Sequence, residues 1–207
     1  MKPTRTIDPA GISALNRYHL MTSLVVPRPI GWISTWSESG AANLAPFSYF
    51  SAVSIAPMLV TVSIGSRRDR LKDTITNIRA RGAFCVNVVT EGQLEAMNET
   101  SASVDPDVDE FELASLPRAE SDRVDAPFVA DCPAVLECEL RQEVDLGGAP
   151  NALVVAEVVG VRLSDELDFE EGTMIVRPES LRPVGRLGGS AYGVIREVER
   201  VLRPDRR

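Results

Sequence analysis

The stretch NLAPFSYFSAVSIAPMLVTVSIG, residues 43–65, decides the fold. Its aromatic and β-branched residues predict extended structure that breaks at Pro57 and resumes over MLVTVSI. Ser48, Ser51, Ser54, Thr61 and Ser63 set hydroxyls into that apolar run, while Ala45, Pro46, Phe47, Ala52 and Val53 supply flat apolar surface. Gly65 permits a close backbone approach at its end. A planar heteroaromatic ring needs this mixture, with apolar contact on its face and hydrogen bonds at its rim. A strand with one wet face would show the same pattern, so local periodicity leaves both readings open.

Upstream, Ile30, Trp32, Ser34 and Trp36 fall on one face of an extended segment from Pro29 to Ser37, with Ile33 and Thr35 opposite. The turn residues Glu38, Ser39, Gly40 and Ala41 then predict that the two runs lie as antiparallel neighbours. Downstream, RDRLKDTITNIRARG places Leu71, Ile75 and Ile78 on one helical face and Gly82 where a left-handed cap belongs. The strand AFCVNVV follows, then a second helix opened by Thr90 and Gln93 at capping-box spacing, with Leu94 and Met97 facing inward. Residues 101–131 are rich in Asp, Pro and Ser and lack a period, which predicts an ordered but irregular excursion over the surface.

Strand signals return at AVLECELRQEV, ALVVAEVVGVRL and SLRPVGRL. In the first of these Val135, Glu137, Glu139 and Arg141 alternate with Leu136, Cys138 and Leu140, as in a half-exposed strand. Five or six strands and two short helices, without regular strand and helix alternation, predict a mainly β antiparallel barrel in one domain over residues 1–207.

A formal net charge of −8 argues against nucleic acid and anionic membrane surfaces, so any anionic ligand needs a local basic site. The densest positive cluster is Arg67, Arg68, Arg70 and Lys72, leading into Asp73 and Thr74 at the expected helix start. Backbone N–H groups and the helix dipole would favour a phosphate there, although an ordinary solvated helix start fits the same residues. Cys85, Cys132 and Cys138 are too few and odd in number for a disulfide framework and read as buried thiols. With no apolar run of membrane-spanning length and no signal-peptide core, a cytoplasmic location is expected.

Other chemistries find little support. His19 is the single histidine, and no G-x-S-x-G accompanies it for nucleophilic catalysis. DPDVDEFELASL has Glu110 where a calcium loop wants Gly and Leu116 where it requires Glu. Cys132 and Cys138 are not spaced as paired zinc ligands, so no metal is expected. GRLGGSAYG does not match G-x-G-x-x-G.

Together PRPIGWIST, NLAPFSYFSAVS, PMLVTVSIG, RLKDTITNI, FCVNVV, LEAMNETS, VDEFELA and LRPVGRLGGSAY resemble, in order and spacing, the flavin reductase-like FMN-binding split-barrel family that includes the flavoredoxins. The likeness spans roughly residues 20–193. It implies a Greek-key split β-barrel and a homodimer with FMN at the interface. Ala45, Pro46, Phe47, Ser48, Ser51, Ala52 and Val53 would line the isoalloxazine ring, and Ser63, Ile64 and Gly65 would pass near the ribityl chain or ring. Lys72, Asp73 and Thr74 match the family's phosphate-binding KDT, with Arg28, Asn77, Arg186 and Tyr192 as further neighbours. The implied activity is NAD(P)H:flavin reduction, with NADH or NADPH as co-substrate and a monooxygenase or other electron acceptor as partner. The chemistry needs no side-chain acid or base, so no catalytic residue is named. Members that reduce free flavin often carry a histidine near the C-terminal barrel strand, and this chain has none there. That leaves two alternatives: permanently bound FMN acting on a dedicated organic substrate, or a non-catalytic flavin carrier.

Overall fold

A computed structural model describes residues 2–66, 71–148, 150–201 and 204. The first helix, α1 (Ala14–Leu24), was not expected from the sequence. Ser13 caps it by accepting a hydrogen bond from Asn16 N at 3.2 Å, and only Thr22 is buried along it. Leu15, Tyr18, Met21 and Leu24 recur at helical spacing along it, yet all four are more than half exposed, so this apolar face joins no core.

After β1 (Arg28–Pro29) come β2 (Gly31–Trp36), β3 (Ala42–Phe47), β4 (Phe50–Ile55) and β5 (Met58–Ile64). The expected antiparallel pairing holds, with Trp32 opposite Pro46 and Trp36 opposite Ala42. The decisive stretch itself holds three strands and divides at Ser48 and Tyr49, so that β3 and β4 lie on opposite edges of one sheet, with β5 beside β4. Helix α2 (Asp73–Arg81) follows, closed by Gly82 at φ 68°, a left-handed conformation in which glycine avoids the Cβ clash. Ile75 and Ile78 are buried as expected, but Leu71 lies before the helix and is 40% exposed. The helix begins two residues after it, so Leu71 never joins the apolar face.

Strand β6 (Ala83–Val88) leads to a short 3-10 turn and α3 (Leu94–Glu99), where Met97 is fully buried. The excursion is more regular than its composition predicts. It contains α4 (Glu110–Leu113), capped by Asp109, and an antiparallel hairpin of β7 (Arg118–Glu120) and β8 (Pro127–Val129). These elements are too short to show a period. Strands β9 (Ala134–Val144) and β10 (Ala152–Leu163) match their predicted limits. Glu137 departs from the half-exposed reading: it is 3% exposed, accepting from Ser121 Oγ at 2.6 Å and Arg162 Nε at 3.1 Å. Helix α5 (Pro178–Leu181), β11 (Val184–Arg186) and β12 (Tyr192–Val194) complete the order, with β11 and β12 in a small sheet with β1.

The main sheet runs β3-β2-β6-β9-β10-β5-β4. Because β3 and β4 are consecutive in the chain, the link at Ser48 and Tyr49 joins its two edges. Ser63 N donates to Tyr49 O at 2.8 Å and ties that link to β5. The sheet therefore curls into a barrel, covered on one side of β2 by α2 and on the other by α3, α4 and the β7–β8 hairpin. Ile33, Phe84, Val62 and Val154 pack with Ile75 and Ile78, while Trp32, Cys85 and Leu44 pack with Met97, Phe111 and Phe128. Asn87 secures the hairpin by accepting Val129 N at 2.8 Å and donating to Trp32 O at 2.9 Å. All three cysteines are buried free thiols, and burial pushes Cys85 up to about 12 and Cys132 up to about 11. Among the described residues no helix is long and apolar enough to cross a membrane.

Candidate functional site

The barrel seam brings the end of β3, the β3–β4 link, the end of β5 and the start of α2 to one place. Two adjoining cavities open there, sharing Pro46, Lys72 and Ser101. The smaller, ≈ 120 Å³, is bounded by Asn43, Lys72, Asp73, Thr74, Glu110 and the segment from Thr100 to Val104. The larger, ≈ 410 Å³, is bounded by Phe47, Ser48, Ser63, Gly65, Met97 and Tyr192 among others.

Of the thirteen expected binding residues, Ala45, Pro46, Phe47, Ser48, Ser63, Gly65, Lys72, Asp73 and Thr74 line these two spaces. Ser51 lines a neighbouring apolar cavity with Met21, Val25 and Phe50. Ala52 and Val53 lie outside the joined cavities on the exposed strand β4, because the chain crosses to the far edge of the sheet after Tyr49. Ile64 is 1% exposed, packs its side chain in the core and lines neither cavity. Arg67, Arg68 and Arg70 fall outside the described residues.

Lys72 is the N-cap residue of α2, its own side chain makes no capping hydrogen bond, and Asp73 stands in the first turn. The first turn of the helix borders the smaller cavity through Lys72, Asp73 and Thr74. Lys72 Nζ stands 4.9 Å from the centroid of the Phe47 ring. Thr74 differs from expectation: it is 1% exposed, and its hydroxyl donates to Asn43 Oδ1 at 2.8 Å. Its side chain thus holds Asn43, whose Oδ1 also accepts from Thr35 Oγ1 at 3.2 Å. Asn77, another expected neighbour, donates to Thr35 Oγ1 at 3.0 Å and so acts behind the cavity wall. Asn43 Nδ2 in turn donates to Glu110 Oε2 at 2.5 Å, and Leu44 N donates to the same oxygen at 2.6 Å. Burial raises the Glu110 carboxyl to about 7 against the opposing effect of those two donors, with Asp73 and Asp109 raising it further.

In the larger cavity Ser48 Oγ accepts from Arg28 Nε at 3.3 Å, and Ser63 Oγ accepts from Asn151 Nδ2 at 3.1 Å. Arg28 is 5% exposed and also donates to Thr22 O, Val25 O and Leu187 O, joining α1, the barrel seam and the C-terminal turn. Tyr192 packs under the Arg186 guanidinium at 4.3 Å and donates to Asn98 Oδ1 at 3.1 Å. These two C-terminal residues form a wall facing Pro46 and Phe47. Sequence reasoning missed Asn43, Glu110, Asn98 and Asn151. Each arrives from a different element, and an acid opening a short helix carries no signal of burial.

Residues 21–184 match the family model described as flavin reductase like domain. A Halalkalibacterium halodurans protein, BH2278, is 35% identical over 203 residues, 96% of each chain. Component B of nitrilotriacetate monooxygenase from Bacillus cereus superposes with a TM-score of 0.92 at 31% identity, covering 97% of this chain and all of that one (100%). The 2-nitrobenzoate 2-nitroreductase NbaA of Pseudomonas fluorescens gives 0.87 at 30% identity, over 97% and 96% of the two chains.

Proposed function

The chain belongs to the flavin reductase-like family, and on that premise we propose that it is an FMN-dependent oxidoreductase, acting as an NAD(P)H:flavin reductase that passes reduced flavin or electrons to a partner. The observation that carries this reading is the pair of joined cavities. One offers an anion Lys72 and the start of α2, and the other offers a flat ring the Pro46 and Phe47 wall with Ser48 and Ser63 at its rim. The donor set fits a flavin carrying one terminal phosphate, which favours FMN over FAD.

When bound, FMN supplies a two-electron acceptor for hydride from a reduced nicotinamide. The chain's contribution is positional. Arg28 fixes Ser48, Asn151 fixes Ser63, and both hydroxyls are thereby oriented before a ligand arrives. Tyr192, held by Asn98 and Arg186, limits water access opposite Phe47 and leaves room for a second planar ring. The similarity to a monooxygenase component supports a monooxygenase as the electron-accepting partner. A homodimer is supported by β4, which is exposed along most of its length and apolar at Val53 and Ile55.

The similarity to a nitroreductase favours one second reading, in which FMN stays bound and reduces an organic substrate directly. Anaerobic mixing of the flavin-loaded protein with NADH and with NADPH, following flavin absorbance, tests the first. Rapid bleaching with either is the expected result. Bleaching with neither would remove the reductase reading.

A further inference from the structure

A carboxyl group lines the compartment in which an anion is expected. Glu110 is 5% exposed and borders the small cavity together with Lys72, Asp73 and Thr74. Its Oε2 takes both available donors, Asn43 Nδ2 and Leu44 N. Among the described residues no hydrogen bond or ion pair reaches Oε1, which leaves that oxygen to the cavity. Among the described residues the charged groups around it are Asp109 on its own turn, Asp73 and Lys72 at the start of α2, and Arg118 from β7, which is ion-paired to Asp109. Burial beside two other carboxylates already opposes ionisation here, and raises this carboxyl to about 7.

An incoming phosphate would bring more negative charge to the same space. With Glu110 ionised, a buried carboxylate opposes it at low effective dielectric. With Glu110 protonated, the proton sits on Oε1, and that atom becomes a donor facing the ligand. We propose that Glu110 makes flavin-phosphate binding proton-linked, the site holding the phosphate tightly with Glu110 protonated and loosely with it charged. This rests on the reading of the small cavity as the phosphate site. It makes FMN retention responsive to pH around neutrality, and it identifies Glu110 as the residue that sets the response.

The sign follows from linkage. A phosphate raises the Glu110 value above its ligand-free level, so affinity is complete below about pH 7 and declines as pH climbs toward the bound-state value. One proton limits the decline to about tenfold per pH unit. The phosphate's own second ionisation, at about pH 6, lies below this window. In Glu110→Gln the amide oxygen can keep both acceptor bonds, while the NH₂ group stands where the proton would be.

The test titrates FMN and riboflavin into the flavin-free full-length wild type and Glu110→Gln. For wild type, the ratio of FMN to riboflavin affinity should fall roughly five- to thirtyfold from about pH 6.5 to about pH 8.5, and for the variant by less than about twofold. Calorimetry of the wild type in two buffers of different ionisation enthalpy should show proton uptake with FMN near neutrality, and none with riboflavin. A wild-type ratio that does not change with pH, or an equal fall in both proteins, overturns the role of Glu110. Should the variant not fold, the wild-type proton count decides, and a count of zero or net release overturns it. If FMN and riboflavin bind equally at the lower pH, the phosphate assignment beneath the proposal is what has failed.

Discussion

Lys72 Nζ and the Phe47 ring lie 4.9 Å apart, so the cation at the start of α2 rests against the apolar wall at the end of β3. Lys72 borders both cavities and therefore stands where a ring and its phosphate would diverge. Removing it in Lys72→Ala should weaken FMN binding roughly ten- to hundredfold, the equivalent of one charge-assisted hydrogen bond. Riboflavin binding should hardly change. Fluorescence titration of both flavins checks this, and equal losses would mean that Lys72 serves the ring or the fold instead. Folding should survive, because α2 is anchored by the buried Ile75 and Ile78.

The legibility of this molecule in its sequence divides along a physical line. Strands β9 and β10 are long, alternate cleanly and are bounded by turn residues, so their limits could be read directly. Helix α1 was overlooked, although Ser13 and the three-residue spacing of Leu15, Tyr18, Met21 and Leu24 were a helical signal. The hairpin of β7 and β8 is held by Asn87 and by Ser34 Oγ, which donates to Pro127 O at 2.6 Å, from strands far away in sequence. At the site, the contiguous Ala45–Ser48 and Lys72–Thr74 segments were legible as motifs. The groups that orient them, Arg28, Asn43, Glu110 and Asn151, converge only through the barrel closure, and no local pattern announces that. Glu137 makes the same point in the core: alternation set it facing water, and the excursion later covered it.

Arg28 is the strongest structural tie behind the larger cavity. Its guanidinium donates to Thr22 O at 2.6 Å, Val25 O at 2.8 Å and Leu187 O at 3.1 Å, in addition to Ser48. Arg28→Ala removes those donors and leaves buried carbonyls unpaired, which should lower stability by roughly 3–5 kcal/mol. Lysine should rescue little, since one ammonium cannot span the planar fork's several acceptors. Urea denaturation followed by tryptophan fluorescence measures the change. In contrast with Lys72→Ala, FMN and riboflavin should weaken together, because Ser48 loses its support at the ring. A flavin affinity unchanged in a folded Arg28→Ala would detach Ser48 from ring recognition.

Strand β4 supplies the last prediction. A strand on a barrel edge normally hides one face, yet here only Phe50 and Ser54 are partly covered, while Val53 is 54% and Ile55 92% exposed. Nearby, Met21 and Val25 line the apolar cavity that also includes Phe50 and Ser51, and both are more than half exposed, at 56% and 53%. Unpaired apolar edges invite further strand pairing or aggregation unless something covers them. A second copy of the chain would bury this face, adjacent to the Ser48 and Tyr49 link that borders the larger cavity. The wild type should therefore run as a homodimer in light scattering. Val53→Glu combined with Ile55→Glu puts charge on the face that must desolvate, so it should shift the protein toward monomer and weaken flavin binding, with little effect on circular dichroism. Observation of a wild-type monomer with flavin fully bound would contradict the dimer. A doubly substituted protein that stays dimeric would move the interface away from β4.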